Sequence, residues 1–383
     1  MSTTSRIPFW EERQFFKPYD LLIVGGGLVG LSAALAGRQY LPHGRIALLE
    51  RGPLPTGAST RNAGFGCFGS PTELLDDLEN MSEDEVWNLV EMRWKGLRLL
   101  RQQIGDDGLG LEPLGGYEVF REKDSIALER VRDQLENLNK HFLEITGLPD
   151  AFRPANPAWV GRQMAVKQVV SLRLECQLDP ARMIRSLWQK IHEQDVEMFH
   201  GLSVSDFQFR KGYWEIGTEP NLPFRARKVL VATNGFTRRL LPELEVQPVR
   251  NQVLLTEPLP KGFDWEGCFH YDRGYVYFRN VGRRILLGGF RHLDREAEST
   301  DQFGTTQKIH QAQLNWLQDV LKVAPDTRIT HQWSGILGVG PVKQPIIREL
   351  EPGLAVAVRL GGMGIALGSL LGREAVQILL ANG

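Results

Sequence analysis

The stretch Asp20-Leu-Leu-Ile-Val24-Gly25-Gly-Gly27-Leu28-Val29-Gly30-Leu-Ser-Ala-Ala-Leu-Ala36 decides the fold. Asp20 to Val24 is a short apolar run that ends in glycine, the pattern of a strand buried on both faces. Gly25, Gly27 and Gly30 follow in the spacing Gly-x-Gly-x-x-Gly and lead into a compact small-residue helix from Leu28 to Ala36. A second buried strand, Arg45 to Glu50, completes a βαβ unit. In that context the first glycine makes the tight turn, the second admits a pyrophosphate to the backbone, and the third lets helix and strand pack closely. The phosphates face the helix N-terminus, where free N–H groups and the dipole favour negative charge. Glu50 lies about twenty residues beyond Gly30, where a carboxylate accepts ribose hydroxyls and disfavours a 2′-phosphate. The motif does not by itself separate FAD from NAD.

The separation comes from Glu50-Arg51-Gly-Pro-Leu-Pro-Thr-Gly57-Ala58-Ser59-Thr60-Arg61-Asn62-Ala63-Gly64. A small-residue segment so close behind the ribose acid can line a pyrophosphate and reach the ring end of a long cofactor. It resembles the Gly-Ala-Ser-x-Arg-Asn-Ala-Gly segment of the D-amino-acid oxidase and glycine oxidase family of FAD enzymes. The resemblance continues in order through Leu178-Asp-Pro180, Val229-Leu-Val-Ala-Thr233-Asn234-Gly235, Pro248-Val-Arg-Asn-Gln252-Val-Leu-Leu-Thr256 and Gly361-Gly362-Met363-Gly364-Ile365-Ala366. It implies non-covalent FAD and an α/β fold: a Rossmann-like, doubly wound FAD-binding domain interleaved with an α+β substrate domain whose large mixed or antiparallel sheet covers the flavin. The cofactor-binding residues it implies are Gly25, Gly27, Leu28, Val29, Gly30, Glu50, Arg51, Ala58, Ser59, Thr60, Asn62, Ala63, Gly64, Val204, Thr233, Asn234 and Gly361 to Ile365.

Bulk properties agree with a globular enzyme. At 383 residues the chain suits about two domains. Lys and Arg number 45 against 46 Asp and Glu, so no field gathers a polyanion, and nucleic acid is excluded as a main partner. Cys67, Cys176 and Cys268 lie far apart in sequence and form no metal-ligand cluster, which fits a reducing, cytoplasmic compartment. The opening residues through Asp20 lack the apolar core of a signal peptide, and no apolar run suggests a membrane span.

Periodicity predicts helices over Glu83 to Ile104, Asp124 to Ile145, Pro180 to Gln194 and Thr306 to Val320, the third with Asp179 as N-cap and Pro180 at N1. Strands are expected near 202–209, 213–218, 228–232, 252–256, 275–279, 284–288 and 354–359, and a last helix to Leu380. The region from about 70 to 150 reads as an insertion away from the parallel sheet. The expected division is 1–75, 170–247 and 331–383 for the FAD-binding domain and 76–169 with 248–330 for the substrate domain.

The glycine turn Gly361 to Gly364 feeds the N-terminus of the last helix, a place where the negative edge of a reduced flavin could sit. Substrate contacts read less clearly. Several family members hold the substrate carboxylate with the arginine of a Trp-x-Gly-x-Arg-Pro segment, yet this chain has Trp333-Ser-Gly335-Ile-Leu337, with leucine in its place. Tyr275, Tyr277 and Arg279 alternate on one strand face and, with Trp333 and Gly335, are the expected pocket residues, Arg279 replacing the lost clamp. Lys343, Arg359 and His331 are lesser candidates, and Cys67 is a remote candidate for a covalent flavin anchor. The leading reading is an FAD-dependent oxidoreductase that oxidises the C–N bond of a small amine or amino acid, with oxygen or another acceptor taking the electrons. The alternatives are a 2-hydroxy acid oxidase or dehydrogenase, and a flavoprotein whose helical region docks a partner.

Overall fold

The computed structural model describes residues 7–381. Residues 1–6 of the segment read for a leader, and residues 382 and 383 of the last nucleotide-binding segment, lie outside that range.

In chain order the helices are α1 Phe9–Phe15, α2 Leu28–Tyr40, α3 Ala58–Arg61, α4 Pro71–Asn80, α5 Glu83–Leu109, α6 Ser125–Thr146, α7 Pro180–His192, α8 Arg295–Glu298, α9 Gln307–Asp319 and α10 Gly364–Ala381. The strands of the first half are β1 Tyr19–Val24, β2 Ile46–Glu50, β3 Phe65–Gly66, β4 Gly116–Phe120, β5 Phe152–Ala155, β6 Gln168–Leu172, β7 Cys176–Gln177, β8 Glu197–His200 and β9 Ser203–Arg210. The remainder are β10 Tyr213–Glu219, β11 Phe224–Val231, β12 Gln247–Thr256, β13 Cys268–Tyr271, β14 Val276–Val281, β15 Arg284–Gly289, β16 Ile329–Val339, β17 Ile346–Glu351 and β18 Leu354–Val358.

The first sheet has the order β17-β18-β11-β1-β2-β8, with β10 and β9 branching from β11. Its centre is parallel: β1 pairs with β11 and β2, and β11 with β18. The apolar run of β1 has no polar side because both faces are covered. Leu21 and Ile23 pack with helices α2, α7 and α10, whereas Leu22 and Val24 face Trp214, Ile216 and Phe224 of the β10–β11 ribbon. Alternate residues of one strand thus enter two different cores. Asp179 caps α7 as expected, its Oδ1 accepting from the N–H groups of Ala181 and Arg182.

The second sheet has the order β16-β12-β15-β14-β13-β4-β6-β5 and is antiparallel except for the β13–β4 pair. One face carries Phe269, Phe278, Ile285 and Leu287 against α9. The other carries Val253, Tyr277, Leu286 and Trp333 against Ala63 and Phe65, so this sheet lies over the small-residue segment behind Glu50.

Two expectations are corrected. Residues 331–339, grouped with the FAD-binding segments, belong to β16 and pair with β12 in the second sheet; their alternating pattern resembles either context. Helix α5, read as an insertion away from the parallel sheet, packs against α7 and α10 on that sheet's helical layer, so closely that a Cβ at Gly96 would overlap the Ala366 carbonyl. Its apolar face is covered by the chain itself. Helix α10 is long and apolar enough to cross a membrane, and most of it is buried in the fold against α2 and α5.

Candidate active site

The cradle starts where β1 ends. Gly25 has φ +112°, and a Cβ there would stand 2.7 Å from the Ala232 carbonyl oxygen; a Cβ on Gly30 would overlap the Gly25 oxygen. Only glycine fits either place, and α2 can therefore close directly onto the turn. Helix α2 has Gly27 as N-cap and no cap from its own start; Ser59 Oγ, from α3, accepts the Leu28 N–H at 2.9 Å. Glu50 is buried at the end of β2, and its two oxygens accept the N–H groups of Gly26 and Gly52, each at 2.9 Å. The carboxylate is thereby fixed with lone pairs left for two hydroxyls.

One continuous cleft runs from this cradle to the second sheet. Of the expected cofactor residues it is lined by Gly25, Gly27, Leu28, Val29, Glu50, Arg51, Ala58, Ser59, Asn62, Ala63, Val204, Thr233, Asn234 and Gly361 to Ile365. Gly30, Thr60 and Gly64 stand behind the surface. Thr60 Oγ1 donates to the Pro55 carbonyl at 2.6 Å, and Gly64 pairs with Leu178. The Arg51 guanidinium lies 3.7 Å from the centre of the Phe236 ring, and burial together with nearby Arg239 pushes its pKa down.

On the second sheet Tyr275, Tyr277 and Gly335 line the cleft, but Arg279 and Trp333 do not. Arg279 shares the face of the tyrosines, yet two residues further along β14 that face lies over the Gly64 turn. Its Nη1 donates to the carbonyls of Gly64 at 3.1 Å and Leu178 at 3.0 Å, so its charge is engaged in holding the end of the 57–64 segment. The Trp333 indole N–H donates to the Arg61 carbonyl at 3.0 Å and ties β16 to α3. Tyr277 lies flat across β15, since a Cβ on Gly288 would overlap its ring; its hydroxyl accepts from Asn251 Nδ2 at 3.1 Å, and burial raises its pKa above the usual phenol range.

The lesser candidates separate. Arg359 donates to the carbonyls of Gln344 and Glu245 outside the cleft, and His331 is exposed. Leu337 and Lys343 line it. Lys343 pairs with Glu73 at 3.1 Å and Asp77 at 2.6 Å; burial works to raise the Glu73 pKa, but Lys343 and Arg93 outweigh it and hold it down to about 2. Cys67 also lines the cleft, with burial pushing its thiol well above the ordinary range, the opposite of an activated nucleophile.

Several cleft residues escaped the sequence reading. Phe65, Glu73, Asp76, Asn251, His270, Arg273 and Arg291 all line it. The His270 ring is buried on β13, with Nε2 2.8 Å from a buried Glu175 oxygen and the edge of Phe65 against it. Burial opposes the imidazolium, but Glu175 outweighs that and raises the His270 pKa. None of these positions has a sequence signal of its own, although Phe65 directly follows the 57–64 segment and Asn251, Arg273 and Arg291 stand within three residues of predicted strands.

The donor set fits FAD: a glycine strip at the N-terminus of α2, a fixed ribose acid, the 57–64 segment, and a second glycine turn opening α10. A family model described as DAO, FAD dependent oxidoreductase, matches residues 20–378. The chain belongs to the DAO family and is an FAD-dependent oxidoreductase. Among curated relatives, the probable oxidoreductase OrdL of Rhizobium meliloti (strain 1021) is 22% identical over 382 residues, covering 95% of this chain and 83% of the relative. The tRNA 5-methylaminomethyl-2-thiouridine biosynthesis bifunctional protein MnmC of Idiomarina loihiensis is 26% identical over 372 residues, 94% of this chain and 55% of that longer protein. Glycine oxidase from Geobacillus kaustophilus shares the fold with a TM-score of 0.72 at 20% identity, over 94% of each chain.

Proposed function

We propose that this DAO-family protein binds FAD non-covalently and oxidises the C–N bond of a small amine or amino acid. The observation that carries this reading is the continuity of the cleft: Ala63, Met363 and Gly335 beside the cofactor segments line the same space as Tyr275, Tyr277 and His270 of the second sheet. A substrate against the tyrosine wall then shares its space with the ring end of the cofactor. Bound FAD would accept a hydride from the substrate C–H bond, leaving an imine for water to hydrolyse. The buried thiol of Cys67 favours non-covalent binding. The glycine oxidase of like fold takes, by its name, an amino acid.

Within the reading each group has a task. Glu50 holds ribose hydroxyls, the α2 and α10 starts face negative charge, and Arg279 keeps the Gly64 turn in place. Tyr277 and Asn251 present a fixed polar edge, and the second sheet keeps bulk water from the cofactor side.

One observation favours a 2-hydroxy acid as substrate instead. An alcohol O–H needs a base, and His270 backed by Glu175 is an imidazole–carboxylate pair whose Nδ1 has no partner among the described residues. The experiment that decides is anaerobic mixing of the purified protein with paired amines and 2-hydroxy acids of the same skeleton. Bleaching of the yellow flavin by amines supports the first reading, and bleaching by hydroxy acids alone replaces it. Heat or acid should release all the flavin into solution; flavin that stays with the precipitated chain rules out non-covalent binding.

A further inference from the structure

We infer that Arg291 is the anion anchor of the cleft, so that the substrate carries a carboxylate held from the loop after β15 rather than from the final strand. The inference rests on the proposed function for the position of the substrate, and on this chain's own residues for everything else.

Arg291 lines the cleft, half-buried, and its guanidinium has no hydrogen-bond or carboxylate partner among the described residues. The other cleft cations differ. Lys343 is neutralised by Glu73 and Asp77, Arg273 by Asp76 and Asp272, and Arg239 by Asp301. Arg61 donates to the Ser334 carbonyl and lies over Phe303, and Arg51 stands beside Glu50 in the cradle. Arg291 alone is an uncompensated charge on the tyrosine wall. A charge removed from water without a partner is costly, and an incoming anion supplies the partner.

The backbone is bent to put it there. Phe290 has φ +69°, a conformation that is strained for a phenylalanine, and it is held by its N–H bond to the Tyr275 carbonyl at 2.8 Å and by its ring against Trp316. This turn carries the chain out of β15 and sets the Arg291 guanidinium 5.1 Å from the centre of the Tyr275 ring. The planar fork, braced on one side by an aromatic face, keeps its N–H groups for a bidentate contact. Burial pushes the Arg291 pKa down, which an anion would reverse. Leu337, where family members place an arginine, also lines the cleft and offers no donor.

The test uses FAD-loaded protein with benzoate and its neutral isostere benzamide, followed by perturbation of the flavin spectrum and by calorimetry. The wild type should bind benzoate at least tenfold more tightly than benzamide. Arg291→Gln should lose tenfold or more for benzoate while benzamide stays within twofold, and Arg291→Lys should keep part of the preference. In turnover the Gln variant should raise KM for amino acids more than it lowers kcat, and narrow the gap between each amino acid and its decarboxylated amine. Equal binding of benzoate and benzamide by the wild type overturns the anchor, even if the variants do not fold. Unchanged benzoate affinity in folded, FAD-loaded Arg291→Gln does so as well. Protein that takes up no FAD fails the proposed function instead, and the two failures are therefore distinct.

Discussion

Ser59 Oγ accepts the backbone N–H of Leu28 at 2.9 Å, so the segment behind Glu50 caps the very helix whose N-terminus would face the phosphates of the proposed FAD. The two pieces proposed to bind the cofactor are one unit. Ser59→Ala removes the cap without adding bulk, and a lost cap or neutral hydrogen bond costs about 1 kcal/mol. FAD affinity, titrated into apoprotein by flavin fluorescence, should fall about fivefold to tenfold. An unchanged affinity would separate Ser59 from the phosphate end.

Arg279 and Arg291 make a contrasting pair, since both were or became candidates for holding substrate, and only one faces the cleft. Arg279→Met should leave the carbonyls of Gly64 and Leu178 without their charged donor and cost about 2–3 kcal/mol in denaturant unfolding. FAD affinity should drop with it. The ratio of benzoate to benzamide affinity in protein reloaded with FAD should not move; a changed ratio would return Arg279 to the substrate pocket.

The nucleotide half was legible because its constraints are local. The Gly25 to Gly30 spacing follows from the close approach of β1, α2 and the Ala232 backbone, the run of β1 from burial on both faces, and the position of Glu50 from its place at the end of the next strand, so sequence neighbours carry them. The proposed substrate end is built by β13, β14, β15 and the loop after β15, brought together by sheet pairing that no local pattern encodes. Alternation correctly put Tyr275, Tyr277 and Arg279 on one face, yet a face does not say how far the cleft extends along it. Trp333 was misplaced for the same reason: β16 pairs with β12, and its indole N–H turns back to Arg61. His270 and Glu175 stand ninety-five positions apart, beyond any spacing argument.

Glu118 offers a test of buried charge. Its carboxylate accepts from Ser70 Oγ and the Thr72 N–H and hydroxyl at the start of α4, but burial outweighs these bonds and pushes its pKa up to about 7. A carboxyl whose folded pKa is raised contributes stability below its unfolded pKa of about 4.3 and loses it as pH rises through the folded value. The wild type should therefore lose roughly 3 kcal/mol relative to Glu118→Gln between about pH 4 and pH 7, and no more above that. Urea unfolding of both proteins across this range checks the slope. Parallel curves would mean that Glu118 stays ionised throughout.

Lys343 tests the opposite sign. It sits between Glu73 and Asp77 of α4 and the cleft, with more than a third of its side chain exposed, while both carboxylates are largely buried. Lys343→Met leaves those two acids facing each other with Arg93 and His270 as the remaining positive groups, and the cost, screened by solvent on the lysine side, should be about 1–3 kcal/mol at pH 7. Glu73 is held down to about 2, so its contribution is present above its unfolded pKa of about 4.3 and is lost as pH falls through the folded value. The difference between wild type and variant should accordingly be full at pH 7 and shrink as the pH falls from about 4 toward 2. Asp77 works weakly in the other direction, because burial and the neighbouring Glu73 raise its pKa even with Lys343 present. If the gap instead stays constant as the pH falls to about 2, the lysine stabilises the fold by packing its methylenes and not by pairing with Glu73.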